Sequence, residues 1–240
     1  MACLSKDIQD FIHVNNWMDK KYKNLSARRY PTIKAALNLF YQREGKTIVE
    51  TGCARLKDDW GAGLSTMLFA ETLDRHGGYL WSVDISEQNL VTCAEIILPW
   101  STNVTLTCQD SVEFLKSLYN RSDFSSRKID LLYLDSFVYP YGPILDHFGG
   151  QNDVNKAIIA AEESPEHEIL AQFEMLVAPC QEHTVQEFYA ALPNLHDKSI
   201  VLIDENDLAG GGKSRLVRQE LYKSDWECII DDAQSLWLKK

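Results

Sequence analysis

Apolar residues fall along this chain in two patterns, short β-branched runs and longer stretches at helical spacing, and from residue 46 the two alternate. The runs at 47–50, 79–83, 104–108, 129–134 and 199–203 read as buried strands. Between them, 64–75, 86–97 and 112–119 read as helices; His76-Gly77-Gly78 ends the first and Pro99 stops the second. This alternation predicts a parallel, doubly wound sheet whose ligands bind at the C-terminal ends of its strands. The end of the chain breaks the rhythm. Runs 226–230 and 235–238 are joined by only Asp231 to Gln234. That link is too short for the crossover that parallel neighbours need, so the two predict an antiparallel hairpin.

Two stretches stand outside the alternation. Residues 7–23 carry Ile8, Phe11, Ile12, Trp17 and Met18 at helical spacing, and 31–41 carry Ile33, Ala36, Leu37 and Phe40. They predict a helical cap over residues 1–45, either packed on the sheet edge or set as a lid to which Arg28, Arg29 and Tyr30 contribute. The main domain then spans 46–240. Residues 136–166 mix Pro140, Gly142, Pro143, Gly149 and Gly150 with Tyr139, Tyr141, His147 and Phe148. A long aromatic loop after a strand tip reads as a substrate-facing insert. Ser164-Pro165-Glu166 then opens a helix over 164–177.

Composition narrows the picture. With 240 residues, 45% of them hydrophobic and 25% charged, the chain can bury a full core. Its formal charge of −11 argues against a nonspecific binder of nucleic acid or anionic membrane. No apolar run reaches the length of a membrane span. The six cysteines are scattered with no Cys-x-x-Cys pair, and the first residues lack a signal-peptide core, so reduced thiols and a cytoplasmic location are expected.

The chemistry gathers at 46–66. There a strand feeds a loop with Gly52, Gly61 and Gly63 and then a helix, which lets a ligand approach bare backbone amides. Asp84 follows the next strand, where nucleotide-binding α/β folds hydrogen-bond a ribose. The glycines do not have dinucleotide spacing. Instead Glu50 ends the strand before Thr51-Gly52, with the second glycine pair displaced by Arg55 to Trp60. This resembles motif I of the class I S-adenosylmethionine-dependent methyltransferases, whose sheet is Rossmann-like, seven-stranded and closed by such a hairpin. The resemblance implies a cofactor set of Glu50, Gly52, Cys53, Gly61, Gly63, Ser65, Thr66, Asp84, Ile85, Asp110, Ser111 and Asp135. Within it Glu50 lies near the methionine portion, Asp84 takes the ribose hydroxyls, and Asp110 with Ser111 sits by the adenine amine. Carboxylates suit these roles because they only accept hydrogen bonds.

Asp135 ends the fourth strand and Asp204-Glu205 the fifth, so these acids converge on one mouth. Gathered carboxylates repel one another unless a cation lies between them, and oxygen-only ligands suit Mg²⁺. The set resembles the metal site of small-molecule O-methyltransferases, nearer the macrolide-sugar than the catechol type. Glu205 departs from both patterns, which leaves Asn206 or Asp207 as alternative ligands. The expected ligands are Asp135, Asp204 and Glu205, and the expected catalytic residues are Asp135 and His147, with His167 a second histidine candidate. Gly212-Lys213-Ser214 is no phosphate loop, because Asp207 stands where that motif needs glycine; Lys213 and Arg215 either touch an anionic substrate or flank a helix start.

These features predict an S-adenosylmethionine-dependent O-methyltransferase using Mg²⁺, with a small-molecule or sugar hydroxyl as acceptor, neither nucleic acid nor membrane as partner, and homo-oligomerisation left open. A metal-free N- or O-methyltransferase, and a non-catalytic binder of adenosine ligands, stay open beside it.

Overall fold

The computed structural model describes residues 17–24, 28–57, 64–124, 127–152, 154, 156–157 and 168–240. Gly61, Gly63, His167, the helix start at Ser164 to Glu166, and the apolar positions Ile8, Phe11 and Ile12 lie outside these residues. Among the described residues one seven-stranded sheet forms the centre. Its strands are β1 (Thr47–Thr51), β2 (Tyr79–Asp84), β3 (Val104–Cys108), β4 (Leu131–Leu134), β5 (Ile200–Ile203), β6 (Trp226–Asp231) and β7 (Ser235–Lys239). They lie in the order β3-β2-β1-β4-β5-β7-β6, with β1 to β5 parallel and β7 antiparallel to both of its neighbours. The doubly wound sheet with a terminal hairpin is therefore as the sequence predicts.

Helices cover both faces. Those with both ends described are, in chain order, α1 (Tyr30–Gln42), α2 (Ser65–His76), α3 (Glu87–Ile97), α4 (Ser111–Leu118), α5 (Tyr141–Phe148), α6 (Glu168–Ala191) and α7 (Arg215–Tyr222), and residues 17–22 are helical as well. Strand side chains alternate between faces, so one strand feeds two cores. Ile48, Leu131, Tyr133, Ile200 and Leu202 share a core with α1 to α3 through Leu37, Phe40, Phe69, Leu73, Cys93 and Ile97. Val49, Leu132, Leu134, Val201 and Ile203 meet α4, α6 and α7 through Phe114, Leu115, Phe188 and Val217. The α1 residues Ile33, Leu37 and Phe40 belong to the same cluster as Leu236 of β7. No helix among the described residues is long and apolar enough to cross a membrane.

Two expectations are corrected. The aromatic insert is not a plain loop: Tyr141–Phe148 is α5, ended by Gly149 at φ 82°. It packs through Ile144 with Tyr139, Phe173, Val177 and Cys180 in a third cluster, and that burial orders it. The helix expected to stop at 177 instead runs on to Ala191, through Pro179. Proline forfeits one backbone hydrogen bond there. The apolar face of Phe173, Val177, Cys180, Phe188 and Ala191, all buried, outweighs that loss.

The winding reverses between β1 and β4, which are hydrogen-bonded neighbours although β2 and β3 intervene in sequence. Loops leaving β1 and β4 consequently part at their C-terminal ends and leave a crevice for a ligand.

Candidate active site

That crevice is a cavity of about 610 Å³, within the roughly 300–1,000 Å³ of small-molecule sites. The tips of β1 to β5 all reach it: Gly52 and Cys53, Asp84 and Ile85, Asp110 and Ser111, Asp135 to Val138, and Glu205. Tyr139 and Tyr141 from the insert, His183 from α6 and Lys213 also line it.

One end presents a fixed carboxylate. Gly52 takes φ 80°, its N–H donates to Val83 O at 2.8 Å, and a Cβ there would stand 2.6 Å from Asp135 O. Only glycine lets the β1 and β4 tips come this close. The Cys53 N–H donates to Asp84 Oδ2 at 3.3 Å, while Ser86 N and Asn89 Nδ2 donate to Oδ1 at 2.8 and 3.1 Å. These bonds fix the carboxylate, whose remaining lone pairs can accept from a ligand in the cavity it lines. Beside it Ile85 is 74% exposed, an apolar face left open at the cavity lip. Asp110 caps α4 by accepting from Glu113 N at 3.0 Å. Ser111 Oγ lies 2.9 Å from His183 Nε2.

The other end is acidic but carries its own cations. Lys213 Nζ donates to Asp135 Oδ1 at 2.6 Å and to Ser136 O at 3.1 Å, and lies 3.4 Å from Glu205 Oε2. Its side chain is 2% exposed. Arg29 Nη2 lies 2.7 Å from Asp204 Oδ2, and Arg28 pairs with Asp207. Burial would raise the Asp135 carboxyl, but the Lys213 ammonium and Arg29 guanidinium hold it below the usual range. Burial, reinforced by the Asp135 carboxylate, pushes Asp204 up to about 7. Burial alone would discharge Lys213; the surrounding Asp135, Glu205 and Asp204 carboxylates instead raise its pKa and keep it protonated.

A loop of three glycines places that lysine. Gly210, Gly211 and Gly212 all have positive φ (68°, 82° and 60°). Gln181 Nε2 clamps the loop by donating to Gly210 O and Gly212 O at 3.0 and 2.8 Å. A Cβ on Gly212 would lie 1.6 Å from Glu205 O, so no side chain fits. Gly212→Ala is expected to cost at least about 2 kcal/mol, combining backbone strain with the displacement of a packed loop. A fall in Tm of about 4–8 °C by calorimetry checks it; an unchanged Tm would mean that the loop does not grip Lys213.

The expected metal ligands are paired with protein cations rather than arranged around a divalent ion. Asp135 accepts from Lys213 Nζ and, at 3.2 Å, from Tyr133 OH, and Asp204 Oδ1 accepts from Gln234 Nε2 at 3.1 Å, while Asp204 Oδ2 is ion-paired with Arg29 and, like Glu205 Oε2, has no hydrogen bond of its own. Asp204 is 1% exposed and is not part of the cavity wall. Asn206 turns away, its Oδ1 accepting from Ser214 Oγ at 2.6 Å and its amide donating to Asp231 and Asp232. Among the described residues, no group of three His, Cys, Asp or Glu side chains is disposed to hold a metal. The convergence of acids is real, but its counter-charge is Lys213 with Arg29.

Other expected residues sit beside the cavity rather than in it. Glu50 is fully buried and accepts from Ser65 Oγ, Thr66 Oγ1 and Ser82 Oγ at 2.6, 2.7 and 2.8 Å. Thr66 Oγ1 accepts in turn from Ala54 N at 3.0 Å, so these residues tie the backbone just after β1 to α2. His147 is exposed, 3.2 Å from Gln172 Oε1, and lies outside the cavity wall. Six residues after the wall residue Tyr141, it falls about 240° around α5. The histidine that does reach the cavity is His183, which the sequence reading missed. Its ring lies 5.2 Å from that of Phe137, and a hydrogen bond to Glu187, one turn along α6, raises its pKa. The i,i+4 His-Glu pair was the available signal. Phe137 and Glu205, at the tips of β4 and β5, adopt positive φ (52° and 55°), a strained conformation that non-glycine residues keep mainly at functional sites.

No protein-family model and no curated protein sequence matches the chain. Solved structures do match. CalS11, a TDP-rhamnose 3′-O-methyltransferase of calicheamicin biosynthesis, has a TM-score of 0.54 at 14% identity, over 98% of this chain and 93% of that one. The fold is that of the S-adenosylmethionine-dependent methyltransferases. The methyltransferase MycE of the mycinamycin pathway, solved with Mg and S-adenosylhomocysteine, has a TM-score of 0.52 at 11% identity. That match covers 88% of this chain and 49% of MycE. In this methyltransferase fold the Asp84 end and the Lys213 end of the cavity lie over opposite sides of the β1–β4 junction.

Proposed function

We propose that the protein is an S-adenosylmethionine-dependent O-methyltransferase acting on a hydroxyl of a small molecule or sugar. The observation that carries this reading is one continuous cavity with a polyol-accepting carboxylate, Asp84, at one end and the Lys213–Asp135 ion pair at the other. Asp84 would accept from the ribose hydroxyls, Ile85 would pack against the adenine, and Asp110 with Ser111 would meet its amine edge. When bound, the cofactor supplies the methyl group as an electrophile on sulfur.

The protein's share is placement. Tyr139 and Tyr141, whose rings meet edge-to-face at 4.9 Å, offer the apolar wall against which a sugar or aromatic ring can pack. Asp135 would accept the acceptor's hydroxyl proton, and the cavity wall keeps bulk water from the reacting atoms. Divalent metal chemistry is not carried into this reading, because Lys213 and Arg29 already neutralise the acids that would have to hold the ion.

Calorimetric titration with S-adenosylhomocysteine tests the reading, with NAD⁺ as control. Binding of the first and not the second is expected, followed by methyl transfer to a member of a panel of hydroxylated metabolites and nucleotide sugars. Failure to bind S-adenosylhomocysteine would remove the functional reading and leave the fold.

A further inference from the structure

We propose that the Lys213 ammonium stands where a divalent ion would be expected and is the cation that polarises the acceptor hydroxyl, so that the reaction needs no metal. This rests on the methyltransferase reading above. Three oxygens, Asp135 Oδ1, Ser136 O and Glu205 Oε2, surround Nζ at 2.6, 3.1 and 3.4 Å. An ammonium has three protons to place. Two of these contacts are good hydrogen bonds, and the third is too long to be a strong one. An acceptor oxygen entering the cavity can take that third proton direction, since Lys213 and Glu205 both line the wall.

The placement is built, not incidental. A lysine on a mobile surface loop would sample many positions. Here the chain doubles back over three glycines, with Gly212 held under the Glu205 carbonyl and the loop carbonyls clamped by buried Gln181. The side chain is left 2% exposed, beside a carboxylate at the tip of β4. A metal ion brought into this space would face two fixed positive charges, Lys213 and Arg29, that already neutralise its acids.

The chemistry balances without another reactant. The acceptor oxygen donates an electron pair to the methyl carbon as the S–C bond breaks, and that bond's electrons stay on sulfur as a thioether. The hydroxyl proton passes to the Asp135 carboxylate. Hydrogen bonding to the Lys213 ammonium makes that proton more acidic, and it leaves as the O–C bond forms. The oxygen then carries partial negative charge, which Lys213 stabilises as fixed cations do at developing negative charge.

Electron paramagnetic resonance with Mn²⁺ as the probe tests this on metal-depleted wild-type protein, in parallel with S-adenosylhomocysteine calorimetry in EDTA. The expected result is a free Mn²⁺ signal undiminished by stoichiometric protein, with S-adenosylhomocysteine bound equally well in EDTA. Lys213→Gln leaves the acids without their cation and is expected to take up Mn²⁺. With the acceptor from the metabolite screen, that variant's kcat should fall about 100-fold and recover in part when Mn²⁺ is added. One Mn²⁺ bound per wild-type chain and lost in Asp135→Asn would overturn the proposal, and so would turnover abolished by EDTA. If S-adenosylhomocysteine itself fails to bind, the methyltransferase reading falls instead. The Mn²⁺ signal distinguishes the two failures, because it needs neither cofactor nor acceptor and no variant that could misfold.

Discussion

Asp84→Ala should weaken S-adenosylhomocysteine binding by about 100-fold or more, while Glu205→Gln leaves that affinity nearly unchanged and lowers turnover. The magnitude follows from what the carboxylate can do. Two ribose hydroxyls donating to a charged acceptor contribute roughly 1.5–3 kcal/mol each, so losing both costs two to four orders of magnitude. Asp84 also accepts from Cys53 N, Ser86 N and Asn89 Nδ2, and its loss frees the Gly52-Cys53 backbone from β2. Glu205 sits at the far end of the cavity beside Lys213 and has no part in that network. Calorimetry on both variants, with circular dichroism to confirm folding, makes the check. Equal loss of affinity in the two would show that the cavity is not divided into a nucleoside end and a reacting end.

A second large effect is expected at Glu50. This fully buried carboxyl has its pKa pushed up to about 8, because burial outweighs the three hydroxyls that donate to it. Its ordinary value is 4.5, so between pH 4.5 and 8 the folded protein retains a proton that the unfolded chain has released. Stability is therefore highest below the ordinary value, falls as pH rises through this window, and levels off above about 8. The contribution of this one group is about 3–5 kcal/mol. Glu50→Gln keeps the shape and can bond the same hydroxyls without a charge to bury. Relative to wild type it should gain stability progressively toward alkaline pH and match it in acid. Urea unfolding of both proteins at pH 5 and pH 8.5 reads this directly. A difference between them that does not change with pH would show that Glu50 is ionised in the fold throughout.

Much of the fold was legible because it rests on local rules. Alternating β-branched runs and helical periods marked five parallel strands, and a link of four residues forced the final hairpin, both as found. The departures lie where long-range packing overrode local preference. Pro179 signals an end to a helix, yet the buried stripe of Phe173, Val177 and Phe188 carries α6 past it. Prolines and glycines between 138 and 150 signal a loop, yet packing on α6 makes part of it helical.

At the site the division is sharper. The strand-tip acids Asp84, Asp110, Asp135 and Glu205 were readable because a parallel sheet brings the ends of its strands to one edge whatever else the chain does. That Glu50 turns inward to brace α2 follows from strand parity and three hydroxyls supplied by α2 and β2. The sequence alone determined that acids would gather over β4 and β5 and that a cation had to accompany them. Which cation was decided only in three dimensions. Lys213 lies 78 positions from Asp135, and only a glycine loop folded under the Glu205 carbonyl brings the ammonium to the carboxylate. Opposite charges distant in sequence become partners through tertiary packing, which no local pattern encodes.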